Sequence, residues 1–448
     1  MLKALKMEAK TVVVFISLLL FYNTIQPAYT EDEIEISKVS RENELASAMN
    51  SFGYNIITKM MNENVGKNIV LSPTGINGIL AMALLGSVGK TYDEIARALG
   101  FSEDIQINRL NHETFGGLLK KLNTNTSMSK TMYADAIFLD SKSKLRDLYK
   151  SYVQKVYGGE AQAVDFTDRA TTQTFINQWV SNNTNGKIPD FLKDPLPGDT
   201  KAALLSALYF SGQWKTPFLP EYTMMMPFKR FNDEITTELM LNLGDFEYTL
   251  ENNIQMIALP YNDSETILYA IKPLRPAELT LADMMNSLDY KKIDTLIDQL
   301  RVQKCVIRFP KMDIKFNANL EGPLKALGIE SMFNPSQANF ALMLDDENAD
   351  SKNETKILTR FANGDEVEKS NLRHIIDSLP NPRIHIDSVI HDVRIKIDEY
   401  GTEAVAATSG ILARSANAFY ANSPFYTFIR NEKTKLVTFS AVIYDPRE

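Results

Sequence analysis

The residues with the clearest chemical potential lie near the C-terminal end of the chain, where Arg414 precedes Ser415. Arg414 is the only basic residue between Lys396 and Arg430. Trypsin-like proteases carry an acidic group at the base of their primary pocket, so they require Arg or Lys before the bond that they cleave. Between these two positions, a protease of this class could therefore cleave only after Arg414, at the Arg414–Ser415 bond.

A run of small residues precedes this bond. From Gly401 to Ala407 nearly every side chain is small, and large apolar side chains return only at Ile411 and Leu412. Such a composition is usual in flexible surface loops. The run also fits a strand held in reserve, because alternate residues share one face of a strand and Gly401, which lacks a Cβ, can serve as a hinge. The small face would carry Thr402, Ala404, Ala406, Thr408 and Gly410.

The sequence Gly-Thr-Glu-Ala-x-Ala-Ala-Thr, which begins at Gly401, resembles the reactive-loop hinge of the serpins, a family of serine protease inhibitors. The resemblance implies an exposed loop that is bait for a protease and that, once cleaved, enters the main sheet as an added strand. The hinge residues that it implies are Glu399, Gly401, Thr402, Glu403, Ala404, Val405, Ala406, Ala407 and Thr408.

The position of the cleaved bond has more than one interpretation. Pocket chemistry favours Arg414–Ser415, whereas the usual hinge length of the family, counted from Glu399, places the bait residue at Ser415. Cleavage after Ser415 would suit an elastase-like protease. Phe419 and Tyr420 are further alternatives. We favour Arg414, because a pocket built for a guanidinium group discriminates strongly.

Three further blocks resemble serpin motifs. Ser72-Pro73, followed by Gly-x-x-Gly-x-Thr ending at Thr91, resembles the signature around the second and third helices of the family. The blocks 174–189 and 200–218 resemble a serpin helix and the central sheet strand, and they contain both tryptophans of the chain. The resemblance extends from about Glu44 to the C-terminus.

This resemblance implies an α+β fold, the serpin fold, in a single large domain over residues 31–448. About nine helices and three β-sheets are expected, with an exposed reactive loop near the C-terminus. Residues 345–383 do not fit the pattern, because serpins have a short connection there. We expect a surface insertion that is solvated, and a partner-docking segment is the alternative.

Local patterns predict several elements without reference to any family. Thr91 and Glu94 have the spacing of a capping box, which predicts a helix that begins after Thr91. The Ser72-Pro73 pair predicts another helix start. The apolar runs 256–261 and 266–273 are predicted to pair as strands of a second sheet.

Around the point where the main sheet of a serpin must open, the family usually carries a Ser-x-x-Ser pair, an Asn and a His. Ser72 and His391 match this set. Gly75 stands in place of the second Ser, and Ser206 stands in place of the Asn. The sheet-opening region is therefore predicted to comprise Ser72, Ser206 and His391, with fewer polar groups to cross-link it.

The first thirty residues have the layout of a secretory signal peptide. Lys3, Lys6 and Lys10 precede an apolar run, 11–22, which is too short for a membrane anchor. Cleavage near Thr30 would give a secreted, extracellular protein, and no other segment is long and apolar enough to span a membrane. In an exported chain, four Asn-x-Ser/Thr sequons are candidate glycosylation sites: Asn125, Asn182, Asn262 and Asn353.

Charge and composition exclude several partners. The formal net charge is −8, which makes this chain a poor candidate for nucleic-acid binding. The resemblance leaves activation by a glycosaminoglycan open, but the acidic net charge and the scatter of the basic residues that could form such a site disfavour it: Arg109, Lys120, Lys121 and Lys130. A monomer that binds a target serine protease, with no nucleic-acid or membrane partner, is the expected state.

The chain offers little material for catalysis. It has four histidines and one cysteine, Cys305, which sits in an apolar strand pattern and is predicted to be a buried, inert thiol. A zinc cluster would have few ligands to draw on, and neither a Gly-x-Ser-x-Gly nor a His-Glu-x-x-His motif occurs. No metal, no cofactor and no enzymatic activity are expected.

Two functions remain open at this point. The first is a secreted inhibitor that traps a trypsin-like protease in an extracellular proteolytic cascade. The second is a non-inhibitory serpin that acts as a carrier, storage protein or chaperone. The hinge favours inhibition, because its small face holds no charged, bulky or proline residue that would block entry into a sheet.

Overall fold

The computed structural model describes residues 31–102, 104–122, 129–344, 376, 379–400 and 416–448, and it gives side-chain burial for these except 31–36 and 105–107. Residues 1–43 form a small unit whose described part is helical. Glu44–Glu448 forms the large unit, which carries all the described strands. The predicted signal peptide and most of the predicted insertion lie outside the described residues.

Nine α-helices and fourteen strands occur in the described residues. The helices are α1 (Glu31–Glu63), α2 (Pro73–Gly86), α3 (Gly89–Leu99), α4 (Ile105–Leu122), α5 (Asp147–Tyr157), α6 (Arg169–Asn183), α7 (Leu281–Ser287), α8 (Tyr290–Asp298) and α9 (Glu321–Ala326). A 3₁₀ turn covers Ser331–Phe333. The strands are β1 (Ile69–Leu71), β2 (Ser129–Asp140), β3 (Glu160–Val164), β4 (Ala202–Gly212), β5 (Leu219–Lys229), β6 (Glu234–Glu251), β7 (Ile254–Pro260), β8 (Thr266–Pro273), β9 (Arg301–Pro310), β10 (Met312–Asn319), β11 (Ser388–Ile397), β12 (Asn417–Tyr420), β13 (Phe425–Asn431) and β14 (Val437–Ile443).

The strands form two sheets. One has five strands in the order β10-β11-β4-β2-β3. The other has nine strands, with β1-β14-β13-β8-β7-β6-β9-β12 as its path and β5 paired to β6. Strands β7 and β8 pair along their whole length, as the sequence predicts.

The third sheet that we expected is not separate in the described part of the chain. Strand β6 is 18 residues long, and different stretches of it pair with β5, β9 and β7. Because β6 is continuous, the strands that pair with its different stretches belong to one large sheet. The α+β class and the helix count agree with the sequence-based prediction.

Strand β4 is buried on both faces. Leu208 and Phe210 face the core between the two sheets, where they pack with Ile395 of β11. Ala203 and Leu205 face helix α6 on the opposite side. This double burial explains why β4 is an almost continuous apolar run rather than an alternating one. Any further strand beside β4 would lie in the same apolar surroundings.

The start of helix α2 is as predicted, whereas the start of α3 is not. Ser72 caps α2, because its Oγ accepts a hydrogen bond from the Gly75 N–H at 3.0 Å. Helix α3 begins at Gly89, so the capping box at Thr91 and Glu94 is wrong. The Glu94 carboxylate instead accepts hydrogen bonds from the backbone and hydroxyl of Ser331. Glu94 thus makes a tertiary contact with Ser331 instead of the local capping contact that the sequence predicts.

The C-terminal end of the predicted insertion contacts the body of the large unit. Ile376 and Leu379 are buried against Val88 and Ala341. The described residues of the range 345–383 thus include two buried side chains near its C-terminal end, beside exposed ones. Two apolar side chains are enough to anchor this end of the insertion beside the start of helix α3.

Candidate functional site

The junction between β4 and β11 in the five-stranded sheet could admit a further strand. Strands β4 and β11 are parallel neighbours, in register from Ala203–Ser388 to Phe210–Ile395. Their outer neighbours, β2 and β10, are antiparallel to them. A segment that turned back after β11 and entered this junction would be antiparallel to both strands. It would therefore replace one parallel pair with two antiparallel ones.

The chain leaves the sheet at this junction and returns in the other sheet. Strand β11 ends at Ile397, and the next strand, β12, pairs in parallel with β9 from Asn417–Cys305 to Tyr420–Arg308. The intervening small-residue run follows β11 directly in the sequence. The segment with the composition of a reserve strand is thus connected to the strand beside which it would insert.

Glu399 holds the chain where it leaves β11, and only 6% of the surface of this residue is exposed. Its carboxylate forms an ion pair with Lys311 (Nζ–Oε2 3.0 Å) and accepts a hydrogen bond from the Thr223 hydroxyl at 2.9 Å. Burial would raise the Glu399 pKa, but hydrogen bonds from its own backbone, from Lys311 and from Thr223 outweigh it and hold the pKa below its usual value. Glu399 therefore remains charged at neutral pH.

Trp214 also fixes this exit. Its indole N–H donates to the Asp398 carbonyl at 2.9 Å, and its backbone N–H donates to the Tyr400 carbonyl at 3.3 Å. The indole ring stacks on Tyr261, with ring centroids 4.3 Å apart. Because both partners lie at the start of the predicted hinge, Trp214 defines where the chain departs from the sheet.

The predicted sheet-opening residues meet in the middle of the junction. His391 on β11 is paired in register with Ser206 on β4. The backbone N–H of Ser72 donates to His391 Nε2 at 2.8 Å. Burial lowers the His391 pKa to about 3, so the imidazole is neutral and can accept this hydrogen bond. The structure thus brings together the three residues that the sequence placed here.

The two departures from the family pattern compensate for each other in space. A Cβ atom on residue 75 would lie 2.5 Å from the Ser206 Oγ, which is too close for any side chain there without movement. Gly75 therefore leaves room for the hydroxyl of Ser206. No described residue is a hydrogen-bond partner of that hydroxyl, which agrees with the prediction of a weakly cross-linked junction.

Of the predicted hinge residues, the described part of the chain includes Glu399. Gly401 to Thr408, Arg414 and Ser415 lie outside the described residues. Phe419 and Tyr420, the alternative bait residues, belong to strand β12, and Phe419 is completely buried. A protease needs an accessible, extended segment, so Phe419 is unsuited to be its bait.

Two of the four sequons lie in the described residues. Asn182 lies in the last turn of helix α6, and Asn262 follows strand β7; both are exposed. Their surroundings are therefore compatible with a glycan. Asn125 and Asn353 lie outside the described residues.

The basic residues considered for a polyanion site are partly engaged with the protein itself. Arg109 forms an ion pair with Glu113 at 2.8 Å, one turn further along helix α4. The Lys120 ammonium donates to the Lys155 carbonyl at 2.7 Å. The described contacts give no indication of a concentrated cationic surface at these positions.

Cys305 follows the sequence-based expectation of a buried thiol. Cys305 is buried in β9, and burial raises its pKa to about 11, which disfavours the reactive thiolate. Within the described residues, no group of His, Cys, Asp or Glu side chains has a geometry that could hold a metal ion. A search of the same residues finds no helix with the length and apolar character needed to cross a membrane.

Lys311 and Thr223 are site residues that the sequence analysis missed. Lys311 lies between β9 and β10, and Thr223 lies in β5. The sequence does show an acidic residue at the hinge, Glu399, and a basic residue, Lys311, in a distant segment. A single sequence does not show that two such distant residues are in contact.

Comparison with known proteins gives a consistent result. The family model described as "Serpin (serine protease inhibitor)" matches residues 47–446. Human Serpin B8 is 26% identical, over 90% of this chain and 100% of its own length. Plasminogen activator inhibitor 1 of Neovison vison is 25% identical, over 98% of this chain and 100% of its own.

Solved structures show the same fold. Human thyroxine-binding globulin superposes with a TM-score of 0.76 at 20% identity, and it covers 91% of this chain and 100% of its own. Native protease nexin-1 with heparin gives a TM-score of 0.72 at 25% identity, with the same coverage of both chains.

Proposed function

The chain belongs to the serpin family, and we propose that it is a secreted inhibitor of trypsin-like serine proteases. The family comprises inhibitors of proteases rather than enzymes, and most of the relatives of this chain are serine protease inhibitors. The expectation that the chain is not an enzyme is therefore confirmed. What we propose is that the chain inhibits its target, that this target is a trypsin-like protease, and that the chain is secreted.

The observation that carries the proposal is the parallel junction of β4 and β11 beside the exit of the hinge. Thr402 to Arg414 is about 13 residues, or about 43 Å when extended at ~3.3 Å per residue. A protease attached at the end of this segment would be carried about that distance as the segment entered the junction. Movement on this scale is large enough to distort a tethered enzyme.

The proposed mechanism uses the chemistry of the protease. Its serine attacks the carbonyl of Arg414 and forms an ester, with release of the amino group of Ser415. The freed hinge then enters between β4 and β11 before water can hydrolyse the ester. For this competition to favour trapping, the intact protein must be kinetically held above its most stable state.

Two features support secretion as part of the proposal. Residues 1–30 have the charge and apolar pattern of a signal peptide, and Asn182 and Asn262 are exposed sequons. We expect the protein recovered from the medium of secreting eukaryotic cells to begin near Glu31 and to lose mass on treatment with a glycosidase that removes N-linked glycans. Recovery of the full-length chain from the cytosol alone would contradict secretion.

Incubation with trypsin tests the proposed function. A covalent ester survives boiling in detergent, so the expected product on a denaturing gel is a band at the summed mass of the two proteins, together with a released C-terminal fragment. Trypsin inactivated at its catalytic serine is the control and should give no such band. Clean cleavage of the loop with full trypsin activity retained would instead favour the carrier, storage or chaperone alternative.

A further inference from the structure

A carboxyl group that the proposed mechanism does not use lies in the row of the sheet-opening residues. Asp135 on β2 is paired in register with Ser206 on β4, and Ser206 is paired with His391 on β11. The three residues therefore form one line across three adjacent strands. The line crosses the junction between β4 and β11 that a new strand must enter.

Helix α2 covers this row, and it does so with two glycines. A Cβ atom at Gly78 would lie 2.8 Å from Asp135 Oδ2, just as one at Gly75 would lie 2.5 Å from Ser206 Oγ. The start of the same helix is bonded to His391 through the Ser72 N–H. The first turns of α2 thus contact both sides of the junction, with Asp135 and Ser206 on one side and His391 on the other.

Two polar atoms at this contact lack hydrogen-bond partners in the described part of the chain. The Asp135 Oδ1 atom is shielded from solvent and has no hydrogen-bond partner among the described residues, and the same is true of Ser206 Oγ. Burial raises the Asp135 pKa to about 7, and the neighbouring Ser206 hydroxyl, although it is not in hydrogen-bonding geometry, lowers this pKa by a smaller amount. A buried carboxyl with no ion-pair partner is thus a proton-binding group near neutral pH.

The groups that face Asp135 do not change charge in the same range. On its own strand, burial raises the Tyr133 pKa far above neutrality, and at the end of the row the His391 pKa is about 3. Helix α2 presents glycines, and α4 presents Leu119, close to Gly78. Of the described groups around this carboxyl, Asp135 is therefore the one that titrates between about pH 5 and pH 9.

We propose that Asp135 is a positioning residue for opening of the five-stranded sheet, because loss of its proton weakens the contact between helix α2 and the β2–β4 side of the junction. The neutral carboxyl brings no charge into this buried contact. The carboxylate is a desolvated charge that is relieved when β2 and β4 move away from α2 and water enters. The inference rests on the proposed function, since strand insertion requires this opening.

The direction of the pH effect follows from proton linkage. The closed state binds the proton more tightly than an opened, hydrated state with an ordinary Asp pKa of about 3.9. Opening therefore becomes easier as pH rises through the range between the two pKa values, and the effect levels off above the pKa of the closed state. Between about pH 6 and pH 8.5 the opening equilibrium should increase about tenfold.

Hydrogen exchange measured by mass spectrometry tests this without any protease. Protection of peptides from β4 and β11, corrected for the chemical exchange rate, should fall about tenfold between about pH 6 and pH 8.5 in the intact protein. Asp135→Asn, which is always neutral, should keep the low-pH protection at both values. Asp140→Asn is the matched control on the same strand, and it should retain the tenfold change.

A second variant keeps the test decisive if Asp135→Asn folds poorly. Ser206→Ala removes the hydroxyl that lowers the Asp135 pKa, so the transition should move to higher pH. An unchanged protection profile across pH in the intact protein would overturn the inference, even if covalent complexes with trypsin form. A pH-dependent profile that Asp135→Asn abolishes would support it, even if no complex forms and the proposed function fails.

Discussion

Replacing Thr402 with arginine is expected to convert the protein from an inhibitor of trypsin into a substrate. Thr402 begins the small face of the hinge, and insertion would place this face in the junction beside β4, which is buried on both sides. A buried, unpaired guanidinium costs on the order of several kcal/mol. Insertion would then be slower than hydrolysis of the ester, so nearly all encounters should end in release of active trypsin.

The neighbouring position supplies a matched control for this prediction. Glu403 falls on the other face of the hinge at the two-residue strand period. Glu403→Arg should therefore keep most of the inhibition, although it introduces the same side chain one residue away. Denaturing gels and titration of residual trypsin activity compare the two variants. Equal complex formation by Thr402→Arg and the unchanged protein would show that the hinge does not insert as proposed.

Replacing Arg414 with alanine is expected to abolish inhibition of trypsin. The acidic group in the primary pocket of a trypsin-like protease pairs with the arginine of its substrate, and alanine offers no charge there. The second-order rate constant of inhibition should fall by at least about a thousandfold, given the strong discrimination of a site built for a polar partner. The fold of the large unit should be unaffected, because the change lies in the loop.

Two companion variants and one mass measurement locate the cleaved bond. Arg414→Lys should retain inhibition of trypsin, and Ser415→Ala should leave it largely unchanged. In the unchanged protein, the fragment released by trypsin should begin at Ser415. A fragment beginning at Ala416, together with inhibition that survives Arg414→Ala, would instead assign the bait to Ser415 and an elastase-like protease to the site.

A local motif and the family resemblance together pointed to the sheet-opening residues. Ser72 followed by proline predicts a helix start, and the cap that Ser72 forms on Gly75 confirms it. His391 stands in an alternating apolar strand, and the structure puts its ring against the backbone of Ser72. The helix start held because it depends on a short stretch with its own capping residue. The contact between His391 and Ser72 joins distant parts of the chain, and only the resemblance indicated it.

Features that depend on long-range contacts escaped the sequence analysis. The capping box at Thr91 failed because Glu94 binds Ser331, far away in the sequence. Lys311 was not recognised as the partner of Glu399, because no pattern in a single chain pairs them. Asp135 was overlooked for the same reason, since a carboxyl on a strand gains its raised pKa from burial by packed elements that are distant in the sequence.

The melting temperature of the loop-cleaved protein, compared with that of the intact protein, tests the central claim most directly. An inserted strand would gain ladder hydrogen bonds to both β4 and β11, each worth about 1 kcal/mol, in addition to apolar burial. Summed over the hydrogen bonds of an inserted strand, this gain in the free energy of unfolding corresponds to a rise in melting temperature on the order of 20 °C in a chain of 448 residues. The account predicts such a rise after cleavage at Arg414, and equal melting temperatures before and after cleavage would contradict it.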